Sequence, residues 1–342
     1  MATLIGVLRK KLLAPRLESV RFATRGFPGA TSSSAEQLER IPQSVICGFE
    51  WGMETTELAE LERRLGMVDA ELRGFAYEGA TMAWTITDSF PGGRGDRTRA
   101  LLLGPGRRHL FLAYIGIGFA MARLPRVLWR GVLPELPGVP YHPTMSWLAV
   151  DGYGFDKAYF DTHRWVEQQR RPEPYPWEGA PDYFPRAVDQ GIGRALWFIH
   201  GADPAAVAAA VHRFDADRGA DLFSGVGLAA TFAGGCDADG LATLADAAGR
   251  HRPDVALGVV FAAKARDYAG TVPEHTELAA RVLAGVSVAD AVALADATEV
   301  AAGTATSVGD ETATTAEGNS APAYELWRSA IRARLANALS NV

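Results

Sequence analysis

The sequence predicts an all-α fold of stacked helix-hairpin repeats, α-solenoid-like, with little strand. Two observations carry this. A glycine-bearing segment recurs along the chain, and the stretches between its copies show helical rather than two-residue periodicity. The copies are Gly79-Ala80, Gly116-Ile117-Gly118, Gly152-Tyr153-Gly154, Gly191-Ile192-Gly193 and Gly225-Val226-Gly227, with a degenerate sixth at Gly258. Their first glycines lie 33 to 39 residues apart, a spacing that belongs to helix-hairpin repeats.

Residues 1–40 read as a leader. Leu4, Val7, Leu8, Leu12 and Leu13 fall on one helical face beside Arg9, Lys10 and Lys11. That pattern fits a docking helix or, alternatively, a membrane-surface or partner-binding helix. Its apolar stretch is too short for a signal-peptide core. A loop is expected at 28–34 and a short strand-like run at 44–49. Residues 44–297 form the repeat body. Within it, 110–122 is the longest apolar run, shorter than the roughly 20 residues of a membrane span, so it reads as a buried helix. A Pro/aromatic loop interrupts the body at 170–185. Asp203 caps a helix with Pro204 in its first turn, and residues 236–240 form a capped turn. Residues 298–322 lack apolar periodicity and read as a disordered linker. Residues 323–342 return as an amphipathic helix, with Leu326, Ile331, Leu335 and Leu339 on the stripe that docks it on the body.

Composition narrows the function classes. The chain has 342 residues, is 48% apolar and 22% charged, and carries a net charge of -6. That profile excludes a disordered or collagenous protein, and the mild acidity argues against nucleic acid as a partner. Two cysteines, Cys47 and Cys236, supply no disulfide framework and no zinc set. The expected setting is reducing and cytoplasmic, with a membrane approached only through a partner or the N-terminal helix. No metal site and no cofactor is read. There is no P-loop, no HExxH, no Gly-x-Ser-x-Gly elbow and no Asp-rich terpene-cyclase motif. Residues 225–230 match a relaxed dinucleotide fingerprint, but they are one of several copies in an apolar helical context, without the strand that fingerprint requires.

A glycine inside a helix costs about 1 kcal/mol relative to alanine, so two per helix need a return. Two remain open: close packing of helices at the array axis, or a smooth groove for a flat apolar ligand. On the groove reading Gly116, Gly118, Gly191 and Gly193 bind substrate, walled by Tyr114, Trp147, Tyr153 and Trp197.

Three acids keep register with the glycines. Glu78 precedes Gly79, Asp151 precedes Gly152, and Asp189 lies two before Gly191. In a stacked array these carboxylates converge on one face. They serve either as helix caps and inter-repeat ion pairs or as acid/base groups of raised pKa in an apolar cleft. On the second reading Glu78, Asp151, Asp189 and His200 are the catalytic candidates, with His200 orienting one acid. His142 and His163 lie near the same repeats, and His142 reads as a loop-fixing residue.

Several stretches together resemble a known family: CGFEWGMET at 47–55, ELRGFAYEGATMAW at 71–84, LLLGPGRRHLFLAYIGIGFAMARLP at 101–125, PYHPTMSWLAVDGYGFDKAYFD, YFPRAVDQGIGRALWFIHG, and PAYELWRS near the C-terminus. They are similar to a family of unknown function from bacterial enediyne biosynthesis clusters, the UnbL-like proteins. The resemblance spans nearly the whole chain outside 298–322. It implies a role in building an enediyne core from a linear polyene made by an iterative polyketide synthase. It also implies two partners, a multi-pass membrane protein and a repeat-containing protein encoded alongside. It supplies no catalytic residues. Two functions are therefore expected: binding or acting on a linear polyene or polyketide intermediate in an apolar groove, or a non-catalytic helical scaffold that assembles partner proteins.

Overall fold

The computed structural model describes residues 16–90, 96–300 and 321–339. The expected N-terminal helix and most of the 298–322 linker lie outside the described residues. The architecture is all-α, with no strand among the described residues. Among those residues, seven long helices carry the recurrent glycines or their neighbours. They are α1 (Ala35–Glu54), α3 (Ala70–Ser89), α5 (Leu110–Met121), α6 (Trp147–Phe160), α7 (Phe184–Ile199), α9 (Gly219–Ala233) and α11 (Arg252–Ala269). Shorter helices return the chain between most of them: α2 (Leu58–Leu65), α4 (Asp96–Leu103), α8 (Pro204–His212) and α10 (Ala238–Ala248). After α11 come α12 (Glu274–Ala284), α13 (Val288–Ala297) and the C-terminal α14 (Ala323–Leu339).

The glycines explain the stacking order. Two residues along a helix rotate the side-chain direction by about 200°. A Gly-x-Gly pair therefore bares the backbone on two opposite sides. In each full copy the first glycine meets the preceding long helix and the second meets the following one. A Cβ at Gly116 would collide with the Glu78 carbonyl of α3, and one at Gly118 with the Ala149 carbonyl of α6. Gly191 meets Asp151 of α6, and Gly193 meets Leu222 of α9. Gly225 and Gly227 repeat the pattern against Gln190 and Val255. The ends of the series carry one kind each. Gly48 of α1 meets the following helix at Ala76, and Gly258 of α11 meets the preceding one at Ser224. The copy at Gly258 is degenerate because no further helix packs this way beyond α11. At this range the bared backbones gain van der Waals and Cα–H···O contact, which offsets the helix penalty.

The series curls rather than running straight. Arg266 of α11 donates through Nη1 to the Glu71 carbonyl of α3 at 3.0 Å, and Phe75 of α3 meets Phe232 of α9 edge-on, their centroids 5.4 Å apart. Helix α5 is apolar on every side and every residue in it is buried, as a central position requires.

The strand-like run at 44–49 is corrected by the structure: it lies inside α1. Val45, Ile46 and Phe49 fall on its buried face while Gly48 meets α3, so tertiary packing overrides the β-propensity of the run. The interruption at 170–185 stands apart from its last two residues, where α7 already starts. A second irregular return, between α5 and α6, replaces a helix that the hairpin pattern anticipates. Helix α14 docks on the body through Ile331 and Leu335 of the expected stripe, with Tyr324, Trp327 and Arg328 buried beside them; Leu326 is only half-buried, and the side chain of Leu339 lies outside the described residues. Asp203 and Asp237 cap α8 and α10, accepting from Ala206 N and Gly240 N.

Candidate functional site

The inner faces of the long helices line an apolar cavity in two adjoining lobes. The first is walled by Phe75, Phe111, Ile115, Leu148, Phe232 and Phe261. The second is walled by Val45, Met82, Phe119, Phe155 and Tyr159, with Arg123 and Asp156 in an ion pair on its rim. Four residues line both lobes: Phe75, Glu78, Arg194 and Phe198. They form a waist, to which α3 and α7 each contribute one aromatic ring and one charged or ionisable side chain.

Helical spacing puts them there. Phe75, Glu78 and Met82 follow three- and four-residue steps on α3, and Arg194 and Phe198 a four-residue step on α7. The glycines at 79, 191 and 193 point elsewhere, into the neighbouring helices, which frees these faces for the cavity.

Electrostatically the waist is incompletely paired. Arg194 Nε donates to Asp151 Oδ1 at 2.6 Å. Its Nη2 lies 2.6 Å from the same oxygen without the alignment of a hydrogen bond, and has no other partner among the described residues. Glu78 is buried and makes no hydrogen bond or ion pair among the described residues. Burial pushes its carboxyl up to about 8; the charge of Arg194 pulls the other way, and Asp151 adds to the rise. Burial also raises Asp151, against the pull of Arg194.

The expected convergence of the acids is half met. The structure brings Glu78 and Asp151 together at Arg194. Asp189 belongs to a separate pair: Arg218 donates to it through Nη2 at 2.6 Å and Nε at 3.0 Å. Burial still lifts the Asp189 carboxyl to about 6, yet neither lobe reaches it. His200 ends α7 outside both lobes. Its charged neighbours are Arg213 and Asp203, so it orients none of the three acids.

The expected walls are also corrected. Gly116, Gly118, Gly191 and Gly193 have no open side, because helix backbone fills the space a ligand would need. Tyr114 shares a hydrogen bond of 2.7 Å with His142, which fixes the loop before α6. Trp147 packs edge-on against Tyr183, Trp197 donates to the Gly234 carbonyl at 2.9 Å, and Tyr153 packs on Trp129. None of these four aromatics lines either lobe. Sequence reading missed Arg194 and the phenylalanines at 75, 111, 119, 232 and 261, whereas Phe155 and Phe198 stand among the dense central aromatics it pointed to. The signal was present as charged and aromatic residues three or four apart on glycine-bearing helices. It pointed the wrong way because the glycines themselves were placed on the cavity side.

A second buried cluster joins α14 to α7 and α9. Arg328 donates through Nε to Glu325, through Nη1 to Ser224 and through Nη2 to Asp221. Arg186 bridges Asp221 and Glu325, and the Tyr183 hydroxyl donates to Glu325 at 2.8 Å. Despite burial, the arginines hold the Glu325 carboxyl down at about 2.

The profile of one protein family, described as a protein of unknown function (DUF1702), matches residues 4–335. The chain belongs to this family. No curated protein and no solved structure matches it. Family membership thus covers the seven glycine-linked helices, the waist and most of α14. Among the described residues, no group of histidine, cysteine and acidic side chains is arranged to hold a metal, and no single helix is long and apolar enough to cross a membrane. The pair α12 and α13 has the combined length but bends by 67°.

Proposed function

We propose that the protein binds a long, flat, apolar molecule of the polyene type in the two-lobed cavity. The observation that carries this reading is the waist, where two aromatic-walled lobes adjoin around Glu78 and Arg194. An elongated hydrocarbon spanning both lobes buries its length against Phe75, Phe111, Phe198 and Phe232. The resemblance to proteins of enediyne clusters supplies the candidate, a linear polyene or polyketide intermediate of core formation. If chemistry follows binding, Glu78 is the group placed for proton transfer: it faces both lobes, carries no partner among the described residues and has a raised pKa, whereas Asp151 is engaged by Arg194.

The test is direct. Diphenylhexatriene, an all-trans conjugated hydrocarbon, gains fluorescence when it leaves water for an apolar site. The purified protein should saturate with it, and Leu228→Trp, which fills the first lobe from a half-buried wall position, should lose most of the signal while keeping its helical circular dichroism. Equal binding by both proteins would place the probe elsewhere and remove this reading.

The alternative is a non-catalytic scaffold that assembles the pathway's partner proteins, including the membrane protein encoded alongside. Deleting the gene in a producing strain and complementing with Glu78→Gln separates the two. Restored product favours the scaffold. An accumulated polyene, with normal protein abundance, favours catalysis.

A further inference from the structure

The waist specifies more about the ligand than its hydrophobicity. We infer that the cavity takes a neutral molecule whose two apolar arms meet at a carbonyl oxygen, and that this oxygen sits between Glu78 and Arg194. The inference rests on the cavity being a ligand site, as proposed above, and deepens it.

Three observations lead there. The first is position. Among the described residues, Glu78 and Arg194 are the only charged or ionisable side chains shared by the two lobes, so a polar ligand group within their reach leaves apolar chain to extend into each lobe. The second is unspent hydrogen-bonding capacity. Arg194 is about nine-tenths buried, and its Nη2, though 2.6 Å from Asp151 Oδ1, makes no aligned hydrogen bond among the described residues. The Glu78 carboxyl is buried and likewise without one. Unmade hydrogen bonds in an apolar interior are costly, and an acceptor oxygen placed there recovers them. The third is charge. Asp151 already neutralises Arg194, and Glu78 holds its proton at neutral pH. The waist is thus close to neutral and presents two donors, the Glu78 O–H and an Arg194 N–H. A ketone, with two lone pairs and no proton to place, suits a waist lined by two donors. A carboxylate would add an uncompensated negative charge to an apolar interior. A plain hydrocarbon would leave both donors unmet.

The test compares three probes by displacement of diphenylhexatriene at pH 7: 8-pentadecanone, pentadecane and pentadecanoate. The expected order is ketone first, at least tenfold tighter than the alkane, with the carboxylate weakest. Glu78→Leu should bring the ketone to within about threefold of the alkane while diphenylhexatriene still binds. Glu78→Met, nearly the length of glutamate, takes its place if the leucine variant does not fold. Equal affinity of ketone and alkane in the wild-type protein, with diphenylhexatriene bound, would overturn the carbonyl assignment and leave the apolar-ligand reading intact. Tightest binding by pentadecanoate would overturn neutrality. A tenfold ketone preference that survives both Glu78 variants would remove Glu78 from the site. Failure of diphenylhexatriene and all three probes to bind would overturn the cavity reading itself.

Discussion

The waist and the α14 cluster are both buried and ionic, yet they are built to opposite rules. At α14 three guanidinium nitrogens of Arg328 each find an acceptor, and Glu325 accepts from Tyr183, Arg186 and Arg328. At the waist, among the described residues, Glu78 has no hydrogen-bond partner, and Arg194 Nη2 meets Asp151 Oδ1 without the alignment of a hydrogen bond. The consequence shows in the carboxyls. Glu325 is held at about 2, while Glu78 rises to about 8. Burial alone does not decide the state of a buried acid; the completeness of its hydrogen bonding does. The α14 cluster ties three helices together and satisfies Glu325, although Arg332 Nη2 beside it makes no hydrogen bond among the described residues. The waist holds capacity in reserve, which is what a ligand site requires.

The largest expected effect breaks the α14 cluster. Arg328→Ala leaves Asp221 and Glu325 buried with fewer cations, and should cost about 3–5 kcal/mol in urea denaturation. A loss under about 1 kcal/mol would show that the network does not hold α14 to the body.

Glu78→Gln should act in the opposite direction. Folded Glu78 keeps its proton up to about pH 8, against an ordinary value of 4.5 in the unfolded chain. Folding therefore takes up a proton between those values, and wild-type stability falls as pH rises across that window. Each pH step of one across it removes roughly 1.4 kcal/mol, so the variant should gain a few kcal/mol over wild type at pH 8 and little at pH 4.5. Parallel melting curves at both pH values would mean that Glu78 is solvated or paired.

A smaller, sharper effect tests the coupling at the waist. Asp151→Asn removes the carboxylate facing Arg194 and the negative charge that helps raise Glu78. The midpoint of the Glu78 carboxyl, read by carbon NMR of labelled glutamate, should then fall by roughly one pH unit. An unmoved midpoint would separate Glu78 from the Arg194–Asp151 pair. The smallest effect is the control: Arg40→Ala removes an exposed pair with Asp69 at 3.4 Å and should change stability by no more than about 0.5 kcal/mol.

Much of the fold was legible in the sequence. The glycine period marks the stacked helices, because in mid-helix such residues persist only where backbones touch. Asp203 and Asp237 announce their caps by local chemistry. The run at 44–49 misled, since Val45, Ile46 and Phe49 suit a strand or a helix face equally and only the contact of Gly48 with α3 decides. Glu78 and Asp151 were legible as a pair, because equivalent repeat positions align. Asp189, offset by one residue from that register, turns to Arg218 instead. The sequence by itself determined that the glycine-bearing helices stack in chain order. Which side of each helix faces the cavity was decided only by the tertiary structure. A Gly-x-Gly pair bares two opposite sides, both go to neighbouring helices, and the cavity is left to the faces between, lined by Glu78 beside Gly79 and Arg194 beside Gly193.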